Sequence, residues 1–292
     1  MNYFKSHILT TILVILFAVP SWSKVEGVIG GVSVDQNQNL ALKLPDTAAS
    51  EILISREQYL ISYNKNRRAP NWVAWKLQAD QLGNSGRTNK FQIDTELENY
   101  LTTNQESVHA VQATDFKNSC FDRGHQIPSG DRTDTEANNE VTFKMSNMIP
   151  QTPYLNRVIW EHLESYTRDL VKKDHKMVYV MAGPIYDLDY GMIGPRRDIP
   201  VPSKNFKIIM ILEPGQTADD ISADTEMIAV IMPNVLKSGQ APTPYSTGCD
   251  GIKEEVGASA DDWKQYQTTV TEIENKSGLN LHQLLGRKTK TK

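Results

Sequence analysis

Cys120-Phe121-Asp122-Arg123-Gly124-His125 opens the stretch on which the reading of this chain turns, and Pro128-Ser129-Gly130-Asp131-Arg132 follows it. Next come Asn147-Met148-Ile149-Pro150-Gln151 and Leu155-Asn156-Arg157-Val158-Ile159-Trp160-Glu161-His162-Leu163-Glu164, with Arg168 one helical turn further on. The stretch holds a histidine beside an acid and an arginine, an asparagine able to ligate a metal, and charged residues at helical spacing. Cutting a phosphodiester needs an activated water, charge stabilisation on the non-bridging oxygens and help for the departing 3′-oxygen. His125 is the natural general base, because imidazole alone has an unperturbed pKa near neutrality. Gly124 is read as letting the backbone turn sharply and leaving the imidazole unobstructed. A lone histidine reads as structural; its Asp-Arg-Gly-His setting turns the reading toward chemistry.

Working outward, residues 155 to 172 predict the clearest helix. At about 100° per residue, Ile159, Leu163, Tyr166 and Leu170 share a core stripe, and Asn156, Trp160, Glu164 and Arg168 form an adjacent one. Residues 138 to 148 read as a segment running into a short strand, with Val141, Phe143 and Met145 alternating. Residues 57–63 and 71–77 read as antiparallel strands joined by a turn at 64–70, and residues 78–104 as a polar loop carrying Arg87. Three apolar runs, 177–183, 206–212 and 227–232, are buried strands, and residues 263–274 a final amphipathic helix. Mixed strands with few helices predict a single α+β domain over residues 51–286.

The ends are read differently. Residues 1–23 combine Lys5, an apolar run from Ile8 to Val19 and small residues Ser21 and Ser23, which is the pattern of a secretory signal peptide. The alternative is an uncleaved N-terminal anchor. Residues 24–50 predict an irregular arm, and residues 287–292 a basic tail. The expectation is an exported protein, periplasmic or extracellular, free of the membrane after cleavage. Loss of Lys5 would take the formal charge from −4 to −5, so a polyanion site must be a local arginine cluster, suited to turnover rather than tight binding. Two cysteines, Cys120 and Cys249, permit one disulfide in an exported chain; two buried thiols are the alternative.

Asp122-Arg123-Gly124-His125 with Asn147-Met148-Ile149-Pro150-Gln151, Asn156, Trp160 and Glu164 resembles the DNA/RNA non-specific endonuclease family, the group of the Serratia nuclease and mitochondrial endonuclease G. The likeness to its secreted cyanobacterial members runs from about Glu57 to Leu285 and includes Pro70-Asn71-Trp72-Val73 and Ala182-Gly183-Pro184. The loop around Cys249 falls outside it. The resemblance implies a ββα-metal active site acting on DNA and RNA, with His125 as general base. It implies Asn156 as the one direct protein ligand of a hydrated Mg²⁺ (Mn²⁺ being the other candidate), and Glu164 as a holder of metal-bound water. Arg87, Arg123 and Arg168 match arginines that bind substrate phosphate, Arg123 and Glu164 also counting as catalytic, and the expected products carry 5′-phosphates. Asp122 would orient its neighbours. Without the resemblance, Asn156 reads equally as a helix cap and Glu164 as a surface carboxylate. Arg132 is either a phosphate contact or half of a turn-stabilising pair; Trp160 is packing, and His162 and His175 are surface residues.

Two other classes compete. A zinc hydrolase lacks a His-x-x-x-His pair and a cysteine-rich ligand set. A non-catalytic nucleic-acid-binding protein of the same fold would not need the base, ligand and carboxylate all intact. Oligomeric state is not legible.

Overall fold

Alternation along the strands sorts the apolar residues onto the two faces of one sheet, and both faces are covered. The computed structural model describes residues 25–41, 44–47, 51–222, 224–246, 259 and 261–281. The proposed signal, the basic tail and Cys249 lie outside the described residues.

The strands in chain order are β1 (Val25–Ile29), β2 (Asp46–Thr47), β3 (Glu51–Ser55), β4 (Leu60–Asn64), β5 (Ala69–Leu77), β6 (Asp122–His125), β7 (Met148–Gln151), β8 (Met177–Ile185), β9 (Met192–Ile193), β10 (Ile199–Pro200), β11 (Lys204–Leu212), β12 (Glu226–Pro233) and β13 (Leu279–Asn280). Seven of them form the main sheet in the order β1-β3-β4-β5-β8-β11-β12. All its neighbours are antiparallel except β1 with β3. Ile61, Val73, Trp75, Val180, Ile209 and Val230 point to one face, where they meet helices α1 (Thr95–Thr103) and α3 (Trp160–Lys172). Leu60, Trp72, Ala74, Met181, Phe206, Ile208 and Ala229 point to the other, against α4 (Val270–Ser277). A strand covered on both sides has no solvent face, which is why these segments read as continuous apolar runs. The α+β class and the central strand pairs are as the sequence predicts.

Four local expectations are corrected. Residues 25–29 of the arm are not irregular: they add β1 to the sheet edge, where unpaired backbone groups invite a strand. Tyr100 Oη donates to Glu26 O at 2.8 Å, which fixes β1 against α1. The polar stretch 78–104 contains α1, whose buried Leu97 and Leu101 stand one turn apart. Residues 138–148 are mainly not strand: α2 (Glu136–Thr142) occupies the segment, capped by Thr135, and β7 starts only at Met148. Its buried contact is polar, with Asn139 Nδ2 donating to Ser129 O and Arg132 O, so no apolar period announces it. The helix read over 263–274 is two pieces, a short 3-10 turn at Asp262–Tyr266 and α4, because Thr269 caps α4 and Thr268 N donates to Ala229 O of the sheet.

The two motifs Pro70-Asn71-Trp72-Val73 and Ala182-Gly183-Pro184 meet at the sheet centre, Val73 opposite Ala182. A Cβ on Gly183 would stand 2.5 Å from Asn71 O and 2.8 Å from the Phe206 ring. Gly183→Ala is therefore expected to destabilise by about 1–3 kcal/mol, the usual cost of overpacking. Urea unfolding checks this, and an unchanged midpoint would show that the β5–β8 spacing relaxes freely.

Candidate active site

A small hairpin carries the histidine. β6 and β7 pair antiparallel, His125 opposite Met148 and Gly124 opposite Ile149. Gly124 lies in extended strand rather than in a sharp turn. Its lack of a Cβ is needed because the fully buried Gln151 side chain fills that space. Beyond the strand, Asn147 braces the chain, accepting from Ile127 N at 3.1 Å and donating to Ile127 O and Thr142 O.

His125 is buried between the edges of Phe91 and Phe143, ring centroids 5.7 and 4.8 Å away. Its Nε2 is buried and takes no protein hydrogen bond. Burial, aided by the positive charges of Arg87 and Arg123, pushes its pKa down to about 3. The imidazole is therefore neutral, with a lone pair to offer. Two arginines are shelved on the same rings: Arg123 stacks on Phe91 at 3.9 Å and Arg87 on Phe143 at 4.9 Å. Arg87 Nη1 also donates to Ser129 Oγ at 2.7 Å.

The helix facing the hairpin begins at Pro153, with Thr152 as its cap: Thr152 Oγ1 accepts from Leu155 N at 3.2 Å. Asn156 is therefore inside the helix and is not its cap. Residues Leu155–Ile159 form a π turn, Trp160 N donating to Leu155 O. In an α-helix each four-residue step overshoots a full turn by about 40°. The wider π turn takes that drift out of the step from Asn156 to Trp160, keeping Asn156 above Glu164. Asn156 Nδ2 donates to Asp122 Oδ2 at 2.9 Å, and Arg157 grips both oxygens of Asp122 at 2.8 Å. Asp122 thus orients Asn156 and leaves its amide oxygen for the cleft.

That cleft, 410 Å³ in volume, is lined on one side by Arg87, Arg123 and His125 and on the other by Asn156, Glu161 and Glu164. Of the sequence-predicted residues, the structure brings together all but Arg168. Arg168 is not among the lining residues; it donates to Ser165 Oγ at 2.9 Å and pairs with Asp131 and with Glu161 of the cleft wall at 3.4 Å. Arg132 is fully buried and donates to the carbonyls of Gln58, Lys76 and Asp131, so it is a brace and not a phosphate contact. Trp160 is buried packing, His162 pairs with Asp262 at 3.0 Å, and His175 is exposed. Cys120 Sγ lies 3.4 Å from Ser246 O.

Sequence reasoning missed Lys207. It is buried in the middle of β11 with its Nζ 3.7 Å from Glu164 Oε1 and 4.1 Å from the centre of the Trp160 ring. Asp131 stands close by, held by Trp75 Nε1 at 2.9 Å and by Arg168. Burial raises the pKa of Glu164 to about 7 and lowers that of Lys207, while each charge favours the other. The available signal was a lysine between Phe206 and Ile208 in an otherwise apolar run.

The donor set on the helix side is oxygen only: the Asn156 amide and the Glu161 and Glu164 carboxylates. It fits a hard, largely hydrated divalent cation, which needs few protein ligands. Among the described residues no cluster of three His, Cys, Asp or Glu side chains is placed to hold a metal.

A family model described as DNA/RNA non-specific endonuclease matches residues 36–288. The chain belongs to the DNA/RNA non-specific endonuclease family. The endonuclease is thus a phosphodiester hydrolase acting on nucleic acid, in a family that depends on a divalent metal. It is 35% identical over 227 residues to a nuclease of Nostoc sp., covering 77% of this chain and 71% of that one. It is 26% identical over 249 residues to the nuclease of Serratia marcescens, covering 85% and 81%. The solved complex of EndoG with EndoGI contains a chain with TM-score 0.56 and 27% identity, covering 78% of this endonuclease and 84% of that chain. The family match takes in part of the arm and the loop around Cys249, both outside the motif likeness.

Two outcomes follow from these buried titratable groups. Removing one member of a buried ion pair strands the other, at a cost of roughly 3–5 kcal/mol, whereas replacing both is far milder. Lys207→Met and Glu164→Gln should each destabilise the metal-free enzyme, and the double variant should recover most of the loss in urea unfolding; additive losses would show that the two groups do not interact. For His125 the folded pKa lies below the unfolded value of 6.5, so its contribution is fully present above about pH 6.5. It is lost as pH falls toward 3, on the order of a few kcal/mol in total. The wild type should lose more stability between pH 7 and 4.5 than His125→Asn does, and parallel pH profiles would contradict a depressed histidine pKa.

Proposed function

We propose that the endonuclease is an exported, Mg²⁺-dependent enzyme that cuts DNA and RNA without reading sequence and leaves 5′-phosphate and 3′-hydroxyl ends. The observation that carries this reading is the imidazole of His125, buried, unpaired at Nε2, between two ring-shelved arginines and across a cleft from an oxygen-only ligand set. A non-catalytic binding protein would have no use for an imidazole set opposite an oxygen-only ligand set across a cleft.

His125 takes the proton of a water as its oxygen attacks phosphorus and the bond to the 3′-oxygen breaks. Arg87 and Arg123, fixed by stacking and by Ser129, neutralise the phosphate oxygens without reorganising. Asn156 would hold the ion directly, and Glu164, with Glu161 beside it, would hold its water shell. The bound ion supplies charge stabilisation for the phosphate and the departing oxygen. Arg168, paired with Asp131 and with Glu161 of the cleft wall, would add positive charge beside the phosphate. Contacts to phosphate alone carry no sequence information, which accounts for indifference to sequence and sugar. Export rests on the pattern of residues 1–23, and a Cys120–Cys249 bridge belongs to the same proposal.

The test is incubation of the mature chain with plasmid and with RNA, in Mg²⁺ or in chelator. Both should be cut only with the ion, and the 5′ ends should resist kinase labelling until treated with phosphatase; freely labelled ends would refute the assigned polarity. Asn156→Ala should abolish both activity and Mg²⁺ binding by calorimetry. Glu164→Gln should cost about 10–100-fold, partly restored by more Mg²⁺. Unchanged ion binding in Asn156→Ala would place the ligand elsewhere.

A further inference from the structure

A second cleft of 380 Å³ adjoins the first. It is lined by Ala113, Thr114, Phe116, Lys117, Phe121, Asp122 and Arg123, so Asp122 and Arg123 are walls of both. Its volume falls within the range of small-molecule sites, roughly 300–1,000 Å³. Phe116 and Phe121, 6% and 7% exposed, present only their edges to the cleft from a small core of their own, while Thr114 and Lys117 are exposed on the rim.

The wall is built rigidly. Ser119 N donates to Phe116 O at 3.1 Å, Phe121 N to Ser119 Oγ at 3.2 Å, and Tyr245 N to Ser119 O at 3.2 Å. Asn118 and Cys120 both hold left-handed backbone, φ 57° and 78°, conformations that cost a non-glycine residue energy.

Resting on the nuclease reading above, we propose that this cleft seats the nucleotide next to the scissile phosphate. Its base lies against the Phe116–Phe121 wall and its own phosphate against Lys117. Three features select this occupant: the cleft continues from the catalytic one across Arg123, it offers an apolar wall for a planar base, and its rim is cationic. A strand crossing Arg123 would present one phosphate to His125 while its neighbour enters the second cleft. Apolar contact plus one cation is tolerant of base identity, so the subsite adds grip without specificity.

The test uses the full chain carrying His125→Ala in Mg²⁺, which binds without cutting, and a fluorescein-labelled single-stranded oligonucleotide read by anisotropy. Lys117→Glu, and separately Thr114→Trp, which fills the mouth, should each weaken binding about tenfold. With otherwise wild-type enzyme, each should raise KM by more than it changes kcat. An oligonucleotide of abasic residues should bind the parent more weakly than the intact one, yet bind Thr114→Trp about equally to it. Binding constants within twofold of the parent for both variants would overturn the subsite, as would a parent that does not bind. Tight binding with no cleavage by the wild type would instead overturn the nuclease reading and leave the subsite standing.

Discussion

An ammonium group buried in the middle of an apolar sheet has to be neutralised, and the arrangement of the site follows from how Lys207 is neutralised. The nearest acid is Glu164 on α3, 3.7 Å away, so the helix is held over β11 by charge as well as by packing. Trp160 covers the ammonium, and Asp131 beside it is held by Trp75 and Arg168. Replacing such an arrangement with hydrocarbon commonly leaves stability unharmed. Its presence is better explained by what it fixes: the height and rotation of the helix that brings Asn156 and Glu164 to the cleft.

The opposite wall is fixed by different means. Aromatic rings set His125, Arg87 and Arg123 in place by edge and face contacts that need no solvent, and Gly124 allows the hairpin to close over Gln151. The cleft therefore joins a rigid cationic wall to a rigid oxygen-rich one. On the function proposed above, phosphate would lie against the first wall and the divalent cation against the second.

What could be read beforehand was what depends on short-range pattern. The apolar runs at 177–183, 206–212 and 227–232 could only be buried strands, and the spacing of Asn156 and Glu164 placed both on one helical side. What could not be read depended on tertiary partners. α2 is buried through the amide of Asn139, and β1 exists because a sheet edge was free. Arg168 and Arg132 share a charge, yet one pairs with acids and the other with backbone carbonyls. The π turn is equally silent in sequence, although without it Asn156 would drift from Glu164.

His125 stands among phenylalanines, and by the standards of that neighbourhood it is the wrong residue. A leucine or a third aromatic ring would remove an unpaired nitrogen and fill the space as well. Under the proposed role of His125 as base, selection for turnover keeps a residue that folding alone would not. In a duplicated copy released from catalysis, this position would be among the first to turn apolar while the surrounding sheet stayed intact. On that proposal, position 125 is where the interests of the fold and of the reaction diverge.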